Sequence, residues 1–285
     1  MKFLFSFFLL ILISSTTFSQ VGGTSVYQFL NLSTSARQIA LGGEVLTLVN
    51  DINQPIWNPA VINNELDQNI SLNYSNYLSD INIGSFSYAR QISRRFGTLH
   101  GSVSYVDYGK FVRSDLQGNE LGNFSASDIS LSVGYAINLP WTNFYLGSNL
   151  KFISSTIDNF VSYGFAADLG FLYHSPFKDY SFTLVFRNIG RQFKYFNDFA
   201  ENLPFKIAFG ASYKLKYVPL QWHLTIDNLQ QWNISVPNPS EQTVDLEGNV
   251  INENINFIKN TLRHFIIGAE LFPESTVNFR LGYNF

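Results

Sequence analysis

Four histidines, His100, His174, His223 and His264, are the side chains in this 285-residue chain best suited to acid–base or metal chemistry. Imidazole titrates near neutrality and binds metals through either ring nitrogen. Pairs of histidines at fixed spacing, or one beside a carboxylate, would therefore point to a hydrolase or a metal centre. No such spacing occurs, because each histidine falls in a different alternating segment. His223 and Asp227 share a parity, but four residues at ~3.3 Å each put them too far apart along a strand for direct bonding. No Gly-x-Ser-x-Gly elbow, Walker loop or His-Glu-x-x-His is present. The absence of cysteine excludes disulfides and thiol chemistry. Barrel hydrolases can assemble Ser-His or Asp-His sites between strands, so a missing motif is not disproof. The reading is nevertheless a non-enzymatic protein with no catalytic residue, cofactor or metal.

A second set has a different use. Asp128, Lys151, Asp168, Arg187, Lys206, Lys214, His223, Asp227, Glu270 and Arg280 share the polar parity of their segments and mix both signs. A wet interior laced with ion pairs needs such residues, whereas a selective pore would show a ring of one sign.

The segments that must position them alternate with a period of two, the signature of strands whose side chains point to opposite faces. The clearest is Pro204–Leu229. Phe205, Ile207, Phe209, Ala211 and Tyr213 oppose Lys206, Ala208, Gly210, Ser212 and Lys214; after a turn at Pro219, Leu220, Trp222, Leu224 and Ile226 oppose Gln221, His223 and Thr225. Strands are predicted at 69–78, 81–91, 97–107, 128–139, 143–153, 161–173, 179–188, both arms of that hairpin, 262–272 and 275–285. Segment 81–91 changes parity near Ser85, which suggests a bulge.

A soluble sandwich and an outer-membrane barrel both use such strands, with opposite faces inward. Charged residues are only 14% against ~25% in soluble proteins. Aromatics reach 16%, yet mean hydropathy sits near zero, as when an apolar and a polar face cancel. Tight connections at 93–96, 140–142, 175–178, 217–219 and 273–274 alternate with mostly long ones at 108–127, 154–160, 189–203 and 230–261. That sorting fits short periplasmic turns and long outer loops. Trp141, Trp222, Phe177 and the strand-end tyrosines suit an interfacial girdle. Residues 1–19, with Lys2, an apolar run Phe3–Ile13, and Thr17 and Ser19 before a cut at Gln20, read as a signal peptide. A net charge of −3 with no basic cluster excludes a nucleic-acid partner.

The fold class is thus all-β: a transmembrane antiparallel up-and-down barrel over 69–285, facing outer-membrane lipid, with a 20–68 lead-in packed at or inside one mouth. In the lead-in, Ser33–Leu41 reads as a short helix capped by Ser or Thr and closed by Gly42-Gly43. Trp57-Asn58-Pro59-Ala60 reads as a tight turn. Eleven strands is an odd count, whereas bacterial single-chain barrels close with even numbers. Either one strand is miscounted or the chain is partial.

The lead-in and first strands resemble PorQ-type components of the type IX secretion system of Bacteroidetes. The matching residues are Tyr27-Gln28-Phe29-Leu30-Asn31-Leu32, Ser35-Ala36-Arg37, Ala40-Leu41-Gly42-Gly43, Asn58-Pro59-Ala60, Ser71-Leu72-Asn73-Tyr74 and Ser87-Tyr88-Ala89-Arg90. The pattern Ala36-Arg37, Leu41-Gly42-Gly43 and Asn58-Pro59-Ala60 is shared more widely, with PorV-type proteins and FadL-like channels. The resemblance implies a fourteen-stranded barrel, about three strands more than are counted here, so the 69–285 barrel reads as C-terminally incomplete. It also implies a non-catalytic role: holding a PorZ-like surface protein, with PorU and PorV, in a cargo attachment complex. A FadL-like channel for hydrophobic molecules is the alternative.

For docking, loop 230–261 is the leading candidate. It carries Trp232, Ile234, Val236, Pro237 and Pro239, an exposed-aromatic pattern beside prolines. A small hairpin is predicted at Leu246–Ile251, turning at Gly248-Asn249. Loop 108–127 is next in line.

Overall fold

The computed structural model describes residues 25–93, 96–139, 142–175, 177–234, 243–244, 250–251 and 257–285. The predicted signal peptide lies outside them. Eleven strands form one sheet: β1 (Ile70–Leu78), β2 (Ile81–Ser93), β3 (Gly97–Ser114), β4 (Glu120–Asn138), β5 (Phe144–Ile157), β6 (Phe160–His174), β7 (Tyr180–Lys194), β8 (Lys206–Lys214), β9 (Leu220–Ile226), β12 (Phe265–Leu271) and β13 (Phe279–Asn284). Between β9 and β12 stand a two-residue pair, β10 (Thr243–Val244) with β11 (Val250–Ile251), and a helix, α2 (Phe257–Leu262). Each strand of the large sheet pairs antiparallel with its sequence neighbour. Its edges, β1 and β13, run in the same sense and are not paired with each other among the described residues.

The sheet is polar where a soluble protein would be apolar. In β5, Leu150 is 68% exposed while its neighbour Lys151 is 3% exposed, and the alternation runs the length of the strand. Leu131, Val133, Phe165, Phe171 and Trp222 likewise face outward, and Asp128, Asp168, Lys206 and His223 face inward and are buried. Exposing a Leu or Phe to water forfeits about 1.5–3 kcal/mol per side chain. A face built of them calls for an apolar solvent.

Residues 25–69 lie on the inner face. Helix α1 (Ala36–Ala40) is shorter than predicted and Ser35 makes no side-chain cap; Thr34 instead bonds the Ser85 hydroxyl at 2.7 Å. The predicted closure at Gly42-Gly43 holds. Both glycines have φ near +100°, and Gly43 N–H donates to the Gln38 carbonyl at 2.8 Å. Three short 3₁₀ turns follow, Gln54–Ile56, Pro59–Val61 and Asn64–Leu66.

Two predicted features change. No bulge occurs at Ser85, since the β2 register is continuous from Asn82 to Gln91. Ile83 points inward because the lead-in supplies an apolar cluster of Tyr27, Phe29 and Leu30 there, so inward does not mean polar at that level. Several connections predicted as long are strand: β3 and β4 extend to leave only 115–119 between them, and β5 and β6 leave 158–159. In loop 230–261, Thr243 and Val244 pair with Ile251 and Val250, and the predicted turn at Gly248-Asn249 lies outside the described residues.

Candidate functional site

The tight-turn end of the sheet carries the 139–143, 175–179, 215–219 and 272–278 connections, and the loop end carries 79–80, 115–119, 158–159, 195–205 and 227–264. Between the two ends, strand side chains grip the lead-in through three buried ionic clusters.

In the first, Glu270 of β12 receives both ends of the Arg37 guanidinium, at 2.9 and 2.8 Å, and Arg280 of β13 at 2.6 Å. His223 of β9 stands 3.4 Å from the same carboxylate. A bidentate Arg–carboxylate pair fixes geometry as well as charge. Arg37 also reaches Asn50 at 3.0 Å and Asp51 at 3.7 Å, binding the helix to the segment beyond it.

In the second, Glu44 accepts from Lys206 at 2.8 Å and stands 3.5 Å from Arg187. Lys206 also donates to Asp227 at 3.1 Å. Burial would raise the Glu44 carboxyl, but the two cations beside it win and hold it below the usual carboxylate range. Arg187 further donates to the Leu30 carbonyl at 2.8 Å and lies 4.1 Å over the Trp57 ring. In the third, Lys151 pairs with Asp168 at 2.6 Å and donates to Asn188 at 3.0 Å. Asn149 donates to the Pro55 carbonyl at 2.6 Å and to Asp168 at 3.3 Å.

A bulge makes the second and third clusters adjacent. Arg187 and Asn188 both oppose Asp168, so two successive β7 side chains point inward. Asn188, at φ 57°, donates its N–H to Asp168 at 2.8 Å.

The shared motif residues are backbone anchors. Leu41 is fully buried and its carbonyl oxygen lies 2.9 Å from where a Cβ on Gly268 would sit; Gly282 leaves room for the Leu41–Gly42 peptide. Ala36 opens the helix that carries Arg37. Asn58 donates to the Leu46 carbonyl at 2.7 Å and to Thr183 at 2.9 Å, and accepts from Ala60 N–H at 3.0 Å. Pro59 and Ala60 rest on Gly147 of β5, where a Cβ would run into the Pro59 carbonyl. Motif and strand glycines therefore describe one contact, backbone against backbone.

The histidines are separate. His100 bonds the Ile52 carbonyl at 3.1 Å, His174 bonds Ser181 at 2.8 Å, and His264 bonds the Asp227 and Trp232 carbonyls at 2.8 and 2.9 Å. Among the described residues no three His, Cys, Asp or Glu side chains come together as a metal site.

At the loop end, β3 beyond Asp107 and β4 before Ala126 outrun the pairing of β2 and β5, forming a free-standing ribbon. Phe111 and Phe124 stack at 5.2 Å, and Arg113 pairs with Asp158 of the β5–β6 turn. Its tip is fixed by Asp115, which accepts from Gln117 and Asn119 backbone N–H at 3.0 and 2.8 Å. Leu116 there is fully exposed. Trp232 is half exposed, stacks on His264 at 5.2 Å, and has Phe257 of α2 at 5.8 Å. Ile234 N–H donates to Asn260 at 3.1 Å. Val236, Pro237 and Pro239 lie outside the described residues, as does Trp141.

Of the inward charged residues predicted from parity, Lys151, Asp168, Arg187, Lys206, His223, Asp227, Glu270 and Arg280 are brought together in these clusters; Asp128 instead bonds Tyr108 and Ser155, and Lys214, partly exposed, pairs with Glu274 at the tight-turn end. Glu44, Asp51, Asn149 and Asn188 were missed, the first two because the lead-in has no periodicity to assign a face. Helix α2 was also missed, inside what reads as loop.

A family model described as type IX secretion system protein PorV matches residues 16–241. No curated protein and no solved structure matches the chain.

Proposed function

Because the chain belongs to the family of the type IX secretion system protein PorV, and is so an outer-membrane component of that system, we propose that it is a membrane-spanning barrel that anchors a surface protein without catalysing a reaction. The observation that carries this reading is the inverted sheet, apolar outside and ion-paired inside, with a lead-in filling the inside. Export by the 1–19 segment is part of it. The finer assignment is to a PorQ-type component holding a PorZ-like protein beside PorU and PorV, supported by Tyr27–Leu32, Ser71–Tyr74 and Ser87–Arg90. The docking end is the one carrying the ribbon and loop 230–261, with Trp232, Ile234, Val236, Pro237 and Pro239 as contacts.

The FadL-like alternative needs an apolar route through the interior. Where the lead-in crosses the sheet its backbone touches strand glycines at Gly147, Gly268 and Gly282. An inner cavity of about 390 Å³ mixes Leu32, Trp57 and Ile266 with the ion-paired Glu44, Lys206 and Asp227, while a larger apolar hollow of about 790 Å³, with Phe86, Leu131, Leu150 and Phe165, opens on the outward face. Both favour an anchor. Crosslinked pull-down from intact cells tests it: a surface protein of the secretion system is expected. Recovery of none, with lost uptake of hydrophobic molecules in a deletion strain, reverses the assignment.

A further inference from the structure

The lead-in connects to β1 at the tight-turn end, where Gln91 N–H donates to Asp67 at 2.7 Å and Gln68 N–H to the Ala89 carbonyl at 2.9 Å. Its other end is on the opposite side. Ser25 forms a parallel bridge with Asn202 of the 195–205 connection, and Val26 N–H donates to the Asn202 carbonyl at 2.9 Å. Tyr27, itself at φ 59°, bonds the Ser162 hydroxyl at 2.6 Å, close to the start of β6. Gln192 donates to that same hydroxyl at 2.9 Å and accepts from Glu201 N–H at 2.8 Å, tying the connection to the same point. Leu30 is held by Arg187, and only then does the chain descend to Arg37 beside Glu270.

We infer that the lead-in enters the interior from the loop end, so that its first residues form part of the same outer surface as the ribbon and loop 230–261, available to the surface partner. The partner-facing end of the molecule therefore includes a segment that runs unbroken through the three ionic clusters to the opposite mouth. Arg187 links the Leu30 carbonyl to Glu44, whose other cation is Lys206.

The inference rests on the outer-membrane reading only for which side is called outer; that Gln28 and Leu116 share a side does not depend on it. The chain has no cysteine, so single substitutions give unique labelling sites. Gln28→Cys is exposed on the lead-in, Leu116→Cys marks the ribbon tip, and Tyr217→Cys marks the tight-turn end. Each full-length variant is treated in intact cells, and again after outer-membrane permeabilisation, with a membrane-impermeant maleimide. Q28C and L116C are expected to label in intact cells, and Y217C only after permeabilisation. Q28C labelling like Y217C, or under neither condition, overturns the inference. Reversal of L116C and Y217C overturns the assigned orientation instead, and Q28C following L116C would then still support a shared side.

Discussion

Lys151 and Leu150 are adjacent, and the contrast between them carries the whole arrangement: one ion-paired on the inner face, the other turned to the surroundings. Buried ion pairs contribute little net stability against apolar replacements, but removing one partner strands the other at a cost of about 3–5 kcal/mol. Glu44→Gln is expected to incur a loss of that order, read as a lower denaturant midpoint of the folded protein. The pH dependence follows from sign. A carboxyl held low in the folded state stabilises above its unfolded value, near 4.3, and that contribution fades as pH falls through the lower folded value. Acidification below about pH 4 should therefore loosen the lead-in in the native protein, and E44Q should flatten that limb. Close packing gives a second test. Gly147→Val drives a Cβ into the Pro59 backbone, whereas a Cβ on Gly101 meets nothing within 4 Å. G147V is expected to cost about 1–3 kcal/mol or more and to expose the lead-in to protease nicking, with Gly101→Val as the neutral control.

Among the elements, strands and their inward charges were legible because the two faces of each strand meet different surroundings, and period two records that contrast. Where the contrast ends, so does the signal. The ribbon of β3 and β4 beyond Asp107 has solvent on both faces, so 108–127 reads as loop although Val112 pairs with Asn123. Ile83 looked like a slipped register because its inner neighbour is the Tyr27 cluster, which only the folded chain brings there. The bulge at Arg187 and Asn188 has no glycine to mark it. The motif residues could be seen, but their glycine partners on β5, β12 and β13 could not, since that contact joins residues more than eighty positions apart. Docking is an element-scale prediction. Deleting Asn233–Asn254 should release the surface partner while the barrel still inserts, measured by co-purification after crosslinking. Retention at unchanged affinity moves the site to the ribbon, where Leu116→Ala should then weaken binding about 5–30-fold, as a central apolar contact does.

For the molecule as a whole, the inverted sheet and the filled interior stand or fall together. A sheet in lipid must place its charges inward, and the lead-in gives those charges partners that water alone would otherwise supply. Family membership puts the chain in the outer-membrane machinery of type IX secretion; the face that meets lipid is a separate physical claim. Single cysteines placed in turn from Tyr145 to Ser154 in β5, Gly147 excepted because it has no room for a side chain, each carrying an environment-sensitive fluorophore in reconstituted full-length protein, test it most directly. With nitroxide-labelled lipid as quencher, the account predicts strong quenching at Leu146, Ser148, Leu150, Phe152 and Ser154, and weak quenching at Tyr145, Asn149, Lys151 and Ile153. Uniformly weak quenching, or the opposite parity, would contradict it.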